Sequence, residues 1–435
     1  MRTATRTLAL AAALCLLAAA QFTAPNRLRQ TAQSLANFVR ADPAGVADLF
    51  SPEFLNQVPA TRLTAIFAQL HSQLGAVTAV KLARSQGPDS GVFVFTFAKG
   101  FQSNVSLALN NQPTHSITGL LFGPPQAIIA GGDSWDKLVA SLRSLPGSVS
   151  FQAARITPDG PQSLASWQPD HALAIGSAFK LYILGTLTHE IDQGQRRWDQ
   201  VVPLQAHSLP SGELQTWPLG TPLTLQSLAN LMISISDNTA ADQLLRSVGE
   251  PAVEALLPQM GNQNTPQNQP FLSTSQMFQL KYGDSARRTR YLAADTASRH
   301  TILASLPLSP PADLLTAPPA APVDIEKLEW FASAADLGRA LAWFQPPAQQ
   351  TAREVLAINP GIPSIKSRWS YVGFKGGSEP GVISLNFLLQ AHAAAQPRGD
   401  AWFTLSMIWN NPAAPVSESQ FLALTQRALA LLHPH

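Results

Sequence analysis

The chain has 435 residues, enough for about two or three domains, and its 45% apolar and 13% charged content excludes a disordered or polyelectrolyte protein. The formal charge of +2 comes from Arg2 and Arg6, which stand in the first twenty residues where there is no acid. The remainder carries 27 basic and 27 acidic residues, so no large basic field exists to hold nucleic acid or an anionic membrane.

Residues 1–20 read as a secretory signal peptide: two arginines, an apolar run from Leu8 to Leu17, then Ala18-Ala19-Ala20 before Gln21, with cleavage expected after Ala20. The run is too short to cross a bilayer core of about 30 Å, so no stable membrane anchor is expected. Leu14 precedes Cys15 where lipidation calls for a small residue. The product is expected to be secreted or periplasmic. Without Cys15 it has no cysteine, which excludes disulfides, thiol catalysis and zinc–thiolate sites. His433-Pro434-His435 is too sparse for a metal site, and no cofactor is expected.

Residues 21–125 form a first expected domain. Leu28, Leu35, Phe38 and Val39, then Leu63, Ile66, Phe67 and Leu70, fall at helical spacing within 27–74. Strands are predicted at Ala76–Leu82, Gly91–Phe97, Asn104–Leu109 and His115–Phe122. Helices followed by consecutive strands make a small α+β unit. Gly123-Pro124-Pro125 ends it, and 126–133 is read as a linker.

The pattern changes over 134–435. A helix (Ser134–Ser144) and a strand (Ser148–Ile156) precede a mainly helical stretch from about 177 to 355. Strands return at Tyr371–Phe374, Val382–Gln390 and Phe403–Trp409, and an amphipathic helix, Glu418–Leu432, closes the chain. This suggests an antiparallel sheet whose halves flank an inserted helical subdomain. Residues 305–323 are rich in Pro and Ala and read as a surface insertion.

Three short segments carry chemistry. In Ser177-Ala178-Phe179-Lys180, at an expected helix start, the three-residue spacing puts a hydroxyl and an amine on one face. A desolvated lysine near other cations has a lowered pKa and can accept the serine proton. The plain alternative is a capping serine with a solvated lysine, and Ser134 to Lys137 repeats the spacing on what reads as a surface helix. Ser236-Asp237-Asn238 follows an apolar helix and could be a polar cap only. Lys375-Gly376-Gly377-Ser378 lies on a strand whose paired glycines let a ligand lie along the edge, or merely form a hairpin. Trp217, in the loop before the helix leading to Ser236, is a candidate for lining the cleft.

In this order and context the three segments resemble the S-x-x-K, S-D-N and K-[TS]-G signatures of the class A β-lactamases and penicillin-binding serine acyltransferases, with 59 residues from Ser177 to Ser236. The resemblance covers about 134–433 and implies a β-lactamase/penicillin-binding-protein-like fold, an antiparallel sheet flanked by helices plus an all-helical subdomain. Two departures stand out. Gly376 replaces the usual hydroxyl, for which Ser378 is a possible substitute. No Asp or Glu occurs from Ala255 to Gly283, where the E-x-x-L-N glutamate that hydrolyses the acyl-enzyme would be expected. K-G-G-S-E-P-G and F-L-S-T-S-Q-M-F-Q-L-K are similar to the branch containing the β-lactamase-like hydrolase of the clavulanic-acid pathway. That branch has an NTF2-like (steroid-isomerase-like) N-terminal domain.

The resemblance implies Ser177 as nucleophile, Lys180 as its base, Ser236 as proton relay and Lys375 as its electrostatic support. Asn238, Gly376, Gly377 and Ser378 would bind substrate, with Asn238 on the acyl side chain and amides at Ser177 and near Gly377 or Ser378 forming the oxyanion hole. Asp237 is read as structural. The expected partner is a small β-lactam or ester, with slow β-lactam turnover. A D,D-peptidase-like penicillin-binding protein and a non-catalytic β-lactam sensor remain alternatives at this point.

Overall fold

The computed structural model describes residues 26–112, 116–123, 125–128, 132–311, 314, 320–392 and 401–432. The expected signal peptide, His115, most of residues 312–319 and the terminal His-Pro-His lie outside the described residues. The chain divides into two compact units, Met1–Gly132 and Asp133–His435.

In the first unit, helices α1 (Asn26–Asn37), α2 (Pro52–Gln57) and α3 (Ala60–Leu74) precede strands β1 (Val77–Ser85), β2 (Ser90–Phe97), β3 (Phe101–Leu109), β4 (Ile117–Phe122) and β5 (Gln126–Ala127). The strands pair antiparallel in the order β1-β2-β3-β4, with β5 beside β3. Strict alternation in β2 buries Phe93, Phe95 and Phe97 opposite Val105 and Phe101 of β3. Leu28, Ala32 and Leu35 of α1 and Leu63 and Phe67 of α3 close over that face, giving a sheet-rich α+β unit with its own core.

The second unit begins with α4 (Trp135–Arg143), then β6 (Ser148–Thr157), β7 (Gly160–Trp167) and β8 (Leu173–Ala174). A single turn of 3₁₀ helix, Gly176–Phe179, runs into α5 (Lys180–Asp192). A ribbon of β9 (Val201–Pro203) and β10 (Pro222–Thr224) leads to α6 (Leu225–Ser234), α7 (Asn238–Val248), α8 (Glu250–Leu256), α9 (Thr274–Tyr282), α10 (Ser285–Ala293) and α11 (Thr296–Ala304). Short β11 (Phe331–Ala332) pairs with β8, and α12 (Ala334–Ala342) and α13 (Gln350–Ala357) bring the chain back to β12 (Tyr371–Glu379), β13 (Val382–Gln390), β14 (Trp402–Asn410) and α14 (Glu418–Leu432).

The main sheet is antiparallel in the order β12-β13-β14-β6-β7. Period-two burial sends Phe151, Phe387, Leu405 and Met407 to one face, against Leu138 and Leu142 of α4 and Phe421, Leu424 and Ala428 of α14. The helical block, with α5 buried along nearly its whole length, forms a separate core with Leu388 and Ile408 from the other face. This is a mixed fold, an antiparallel sheet flanked by helices with a separate helical block, as the resemblance implies. Strand β7 has no counterpart in the sequence reading, because it is an edge strand without apolar alternation and carries a proline at its second residue. Strand β12 also runs past Phe374 to Glu379, so the lysine and both glycines of K-G-G lie within it.

Candidate active site

Lys180 is the hub. It opens α5 one turn after Ser177, and its side chain is fully buried. Its Nζ lies 3.2 Å from Ser177 Oγ, 3.1 Å from Ser236 Oγ, 2.6 Å from the Ser236 carbonyl and 2.7 Å from Asn238 Oδ1. An ammonium has three N–H bonds and here meets four oxygens. In its neutral form the amine can donate to the two nearest acceptors, the Ser236 carbonyl and Asn238 Oδ1, and keep its lone pair for the proton of one hydroxyl. Burial, then the nearby Lys375 charge, holds Lys180 well below the ordinary ammonium range, against the opposite pull of Asp242 and Asp237.

Ser236 follows α6 with a left-handed φ of 58°, unusual for a residue with a side chain. That conformation turns both its carbonyl and its hydroxyl toward Lys180. Lys375 reaches the same hydroxyl from β12, with Nζ 3.0 Å from Ser236 Oγ and 2.6 Å from the Gly376 carbonyl. Burial pushes its ammonium down to about 7. The fold thus converges a hydroxyl at 177, a hydroxyl at 236 and amines at 180 and 375, from three separate segments.

The neighbouring residues hold this arrangement. Asp237 is fully buried, caps α7 through the Ala240 amide and accepts from the amides of Glu213 and Leu214. Asn238 lines the smaller of the two cavities described next. Its amide oxygen accepts from Lys180 and its nitrogen donates to the Leu209 carbonyl, which leaves one N–H for anything else. Trp217 is partly exposed and lines neither of the two cavities described next.

β12 is the free edge of the sheet and runs against the turn that carries Ser177. A Cβ on Gly377 would fall 2.2 Å from the Ile175 carbonyl and 2.5 Å from the Ser177 amide nitrogen, so only glycine permits this approach. A Cβ on Gly176 would meet the Ser378 amide nitrogen at 3.1 Å. The Ser177 and Ser378 amides are therefore brought close, the arrangement an oxyanion site needs. The cleft in front holds about 400 Å³ and is lined by Ser177, Ser236 and residues 374–378. Its outer walls are Ile233, Ile235, Phe374, Ile383 and Leu385, with Glu418 at one side.

Behind Ser177 lies a second cavity of about 110 Å³, sharing Ser177, Ser211 and Ser378 with the first. Asp242 of α7 pins its wall by accepting from the amides of Thr274 and Ser275, at 2.7 and 2.9 Å, and from Ser208 Oγ. Stacking of Trp330 on Phe179 at 3.7 Å closes another side. The wall from α9 brings Thr274, Met277 and Phe278, and no acid. Carboxylates enter from elsewhere: Glu329, just before β11, and Glu379, at the end of β12, both line the cavity. Sequence reasoning did not assign either residue. The available signal was Glu379, inside K-G-G-S-E-P-G.

Residues 135–311 match the family model described as the beta-lactamase enzyme family. Solved structures of related course include a β-lactamase from Sphaerobacter thermophilus (18% identity, 69% of this chain and 98% of that one, TM-score 0.46). PBP-A (12%, 68% and 94%, 0.45) and a β-lactamase from Chitinophaga pinensis (15%, 68% and 97%, 0.43) are others. The protein is thus a serine hydrolase that is similar, over residues 135–311, to the beta-lactamase enzyme family.

Proposed function

We propose that the protein hydrolyses small esters through an acyl-enzyme on Ser177, accepts β-lactam amides, and turns the latter over slowly. Ser177 Oγ attacks the substrate carbonyl while neutral Lys180 takes its proton. Ser236 passes a proton to the leaving group, and Lys375 lowers the energy of that transfer. The amides at Ser177 and Ser378 receive the developing oxyanion. The observation that carries the reading is the chain of contacts Ser177–Lys180–Ser236–Lys375, each within 3.2 Å of the next.

Two features support esters over β-lactams. Gly376 offers no hydroxyl to a substrate carboxylate, and the lining of the cleft around Lys375 includes the acid Glu418 and five large apolar side chains beside its serines and Asn359. The stretch from Ala255 to Gly283 also lacks the E-x-x-L-N glutamate that would speed hydrolysis of a β-lactam adduct. We also propose that residues 1–20 direct export and that the first unit is an NTF2-like scaffold rather than a second catalytic centre.

Changing Ser177→Ala is expected to abolish labelling by a fluorescent penicillin and by a fluorophosphonate. Stoichiometric labelling of that variant would remove Ser177 from its role. On wild type, p-nitrophenyl acetate is expected to turn over faster than nitrocefin, which should show a burst. Rapid nitrocefin turnover without a burst would overturn the slow-turnover reading.

A further inference from the structure

The small cavity behind Ser177 has a charge constellation that acylation does not use. Lys281 of α9 is completely buried and donates to Glu329 Oε1 at 2.5 Å and to Glu379 Oε1. Two carboxylates on one ammonium leave an excess of one negative charge in a dry site, unless a proton is shared. Burial, with Glu329 as like-charged neighbour, keeps the Glu379 carboxyl well above the usual carboxylate range. A structural pin needs only one acid per lysine. The second acid is unexplained by packing, and it sits on β12 two residues beyond Gly377, whose backbone lies against the Ser177 amide.

The two acids differ. Glu329 is 1% exposed and also accepts from the Trp330 amide, whereas the Glu379 side chain is 11% exposed, into a space it shares with Ser177. About 110 Å³ is room for a few waters at about 30 Å³ each, and the polar lining from Ser177, Ser211 and Glu379 can hold them. A large acyl group would fill that room.

We propose that Glu379, held by Lys281 and Glu329, is the general base that hydrolyses the acyl-enzyme when the acyl group is small. A water in the cavity gives its proton to the Glu379 carboxylate as its oxygen bonds to the acyl carbon. When the bond from that carbon to Ser177 Oγ breaks, Glu379 returns the same proton to Oγ across the cavity they share. The carboxylic acid leaves, and serine and carboxylate are restored. This base arrives from the sheet edge at the end of β12, not from the acid-free stretch Ala255–Gly283 that contains α9. The proposal rests on the acyl-serine reading above.

The test is an intact-mass time course on full-length protein pulsed with p-nitrophenyl acetate. Glu379→Gln is expected to acetylate at the wild-type rate and to lose the acetyl group about 100-fold more slowly, within the range of a lost general base. Hydroxylamine, a nucleophile that needs no base, should cleave the acetyl-enzyme of both proteins at similar rates; a merely distorted site would slow that cleavage too. Glu379→Asp keeps the charge against Lys281 and should fall between them, and it decides the question if the glutamine variant does not fold. Equal acetyl lifetimes in wild type and these variants would overturn the proposal and leave Ser177 chemistry intact. Absence of any adduct on wild type would instead remove the acyl-serine reading itself.

Discussion

At the scale of single residues, the site depends on two buried lysines whose ammonium forms are disfavoured by burial. Lys375 is 3% exposed and its pKa falls from 10.5 to about 7 through burial. In the unfolded chain it holds its proton up to its ordinary pKa. Between about 7 and 10.5 the unfolded state therefore binds more protons than the native one, and this residue's contribution to stability rises with pH across that window. Replacing Lys375 by Met removes the term, together with pH-independent hydrogen bonds to Ser236 and Gly376. The stability of K375M relative to wild type is expected to worsen by on the order of 3 kcal/mol between pH 7 and pH 10. Urea midpoints at the two pH values check this, and a pH-independent difference would show that Lys375 is not depressed in the native state. Catalysis and stability conflict here: the desolvation that lowers the Lys180 pKa, and so favours its use as a base, costs native-state stability.

At the scale of elements, β12 acts as a wall that reaches the nucleophile with its backbone. Gly377→Ala forces that backbone off the Ile175–Ser177 turn, because 2.2 and 2.5 Å approaches cannot be relieved by a side-chain rotation. It is expected to slow Ser177 labelling about 100-fold, the scale of a lost oxyanion donor, with a stability loss of about 1–3 kcal/mol from overpacking. Wild-type labelling by this variant would place the oxyanion site elsewhere. Gly376 is different. An added Cβ meets the far end of the Phe374 ring, which borders the open cleft, at 2.8 Å and the Ser384 carbonyl at 3.2 Å, so the backbone has to give by only a few tenths of an ångström. Gly376→Thr is therefore expected to be tolerated and to raise kcat/KM for carboxylate-bearing nitrocefin several-fold, leaving p-nitrophenyl acetate little changed. No gain would mean that a hydroxyl at 376 cannot reach a substrate carboxylate. These elements also show what the sequence could reveal. Ser177 with Lys180, Ser236 with Asn238, and Lys375 with Gly377 are readable because each set is contiguous and starts or ends an element with a clear period. Helix α14 is readable for the same reason, down to its Glu418 start. Lys281, Glu329 and Glu379 are not, since nothing local links residues on α9, before β11 and at the end of β12. The bonds of Asn238 to Lys180 and Leu209 are equally a product of tertiary packing.

At the scale of the whole molecule, the two units have separate cores, Leu28 to Ile117 in one and the helical and sheet clusters in the other. Their composition offers a spectroscopic separation: all nine tryptophans lie at position 135 or later. Tryptophan fluorescence therefore reports the unfolding of the second unit alone, whereas far-ultraviolet circular dichroism reports both. Separate cores give separate cooperative transitions unless something couples them. Acylation of Ser177 fills the cleft of the second unit only, so a slowly released β-lactam should raise the fluorescence midpoint in urea and leave the other transition in place. The expected dichroism curve is biphasic, with one phase that follows the fluorescence and moves with acylation and one that does neither. A single transition seen alike by both probes, shifted as a whole by the adduct, would show that the first unit draws its stability from the second. In that case its removal would be expected to change the chemistry at Ser177.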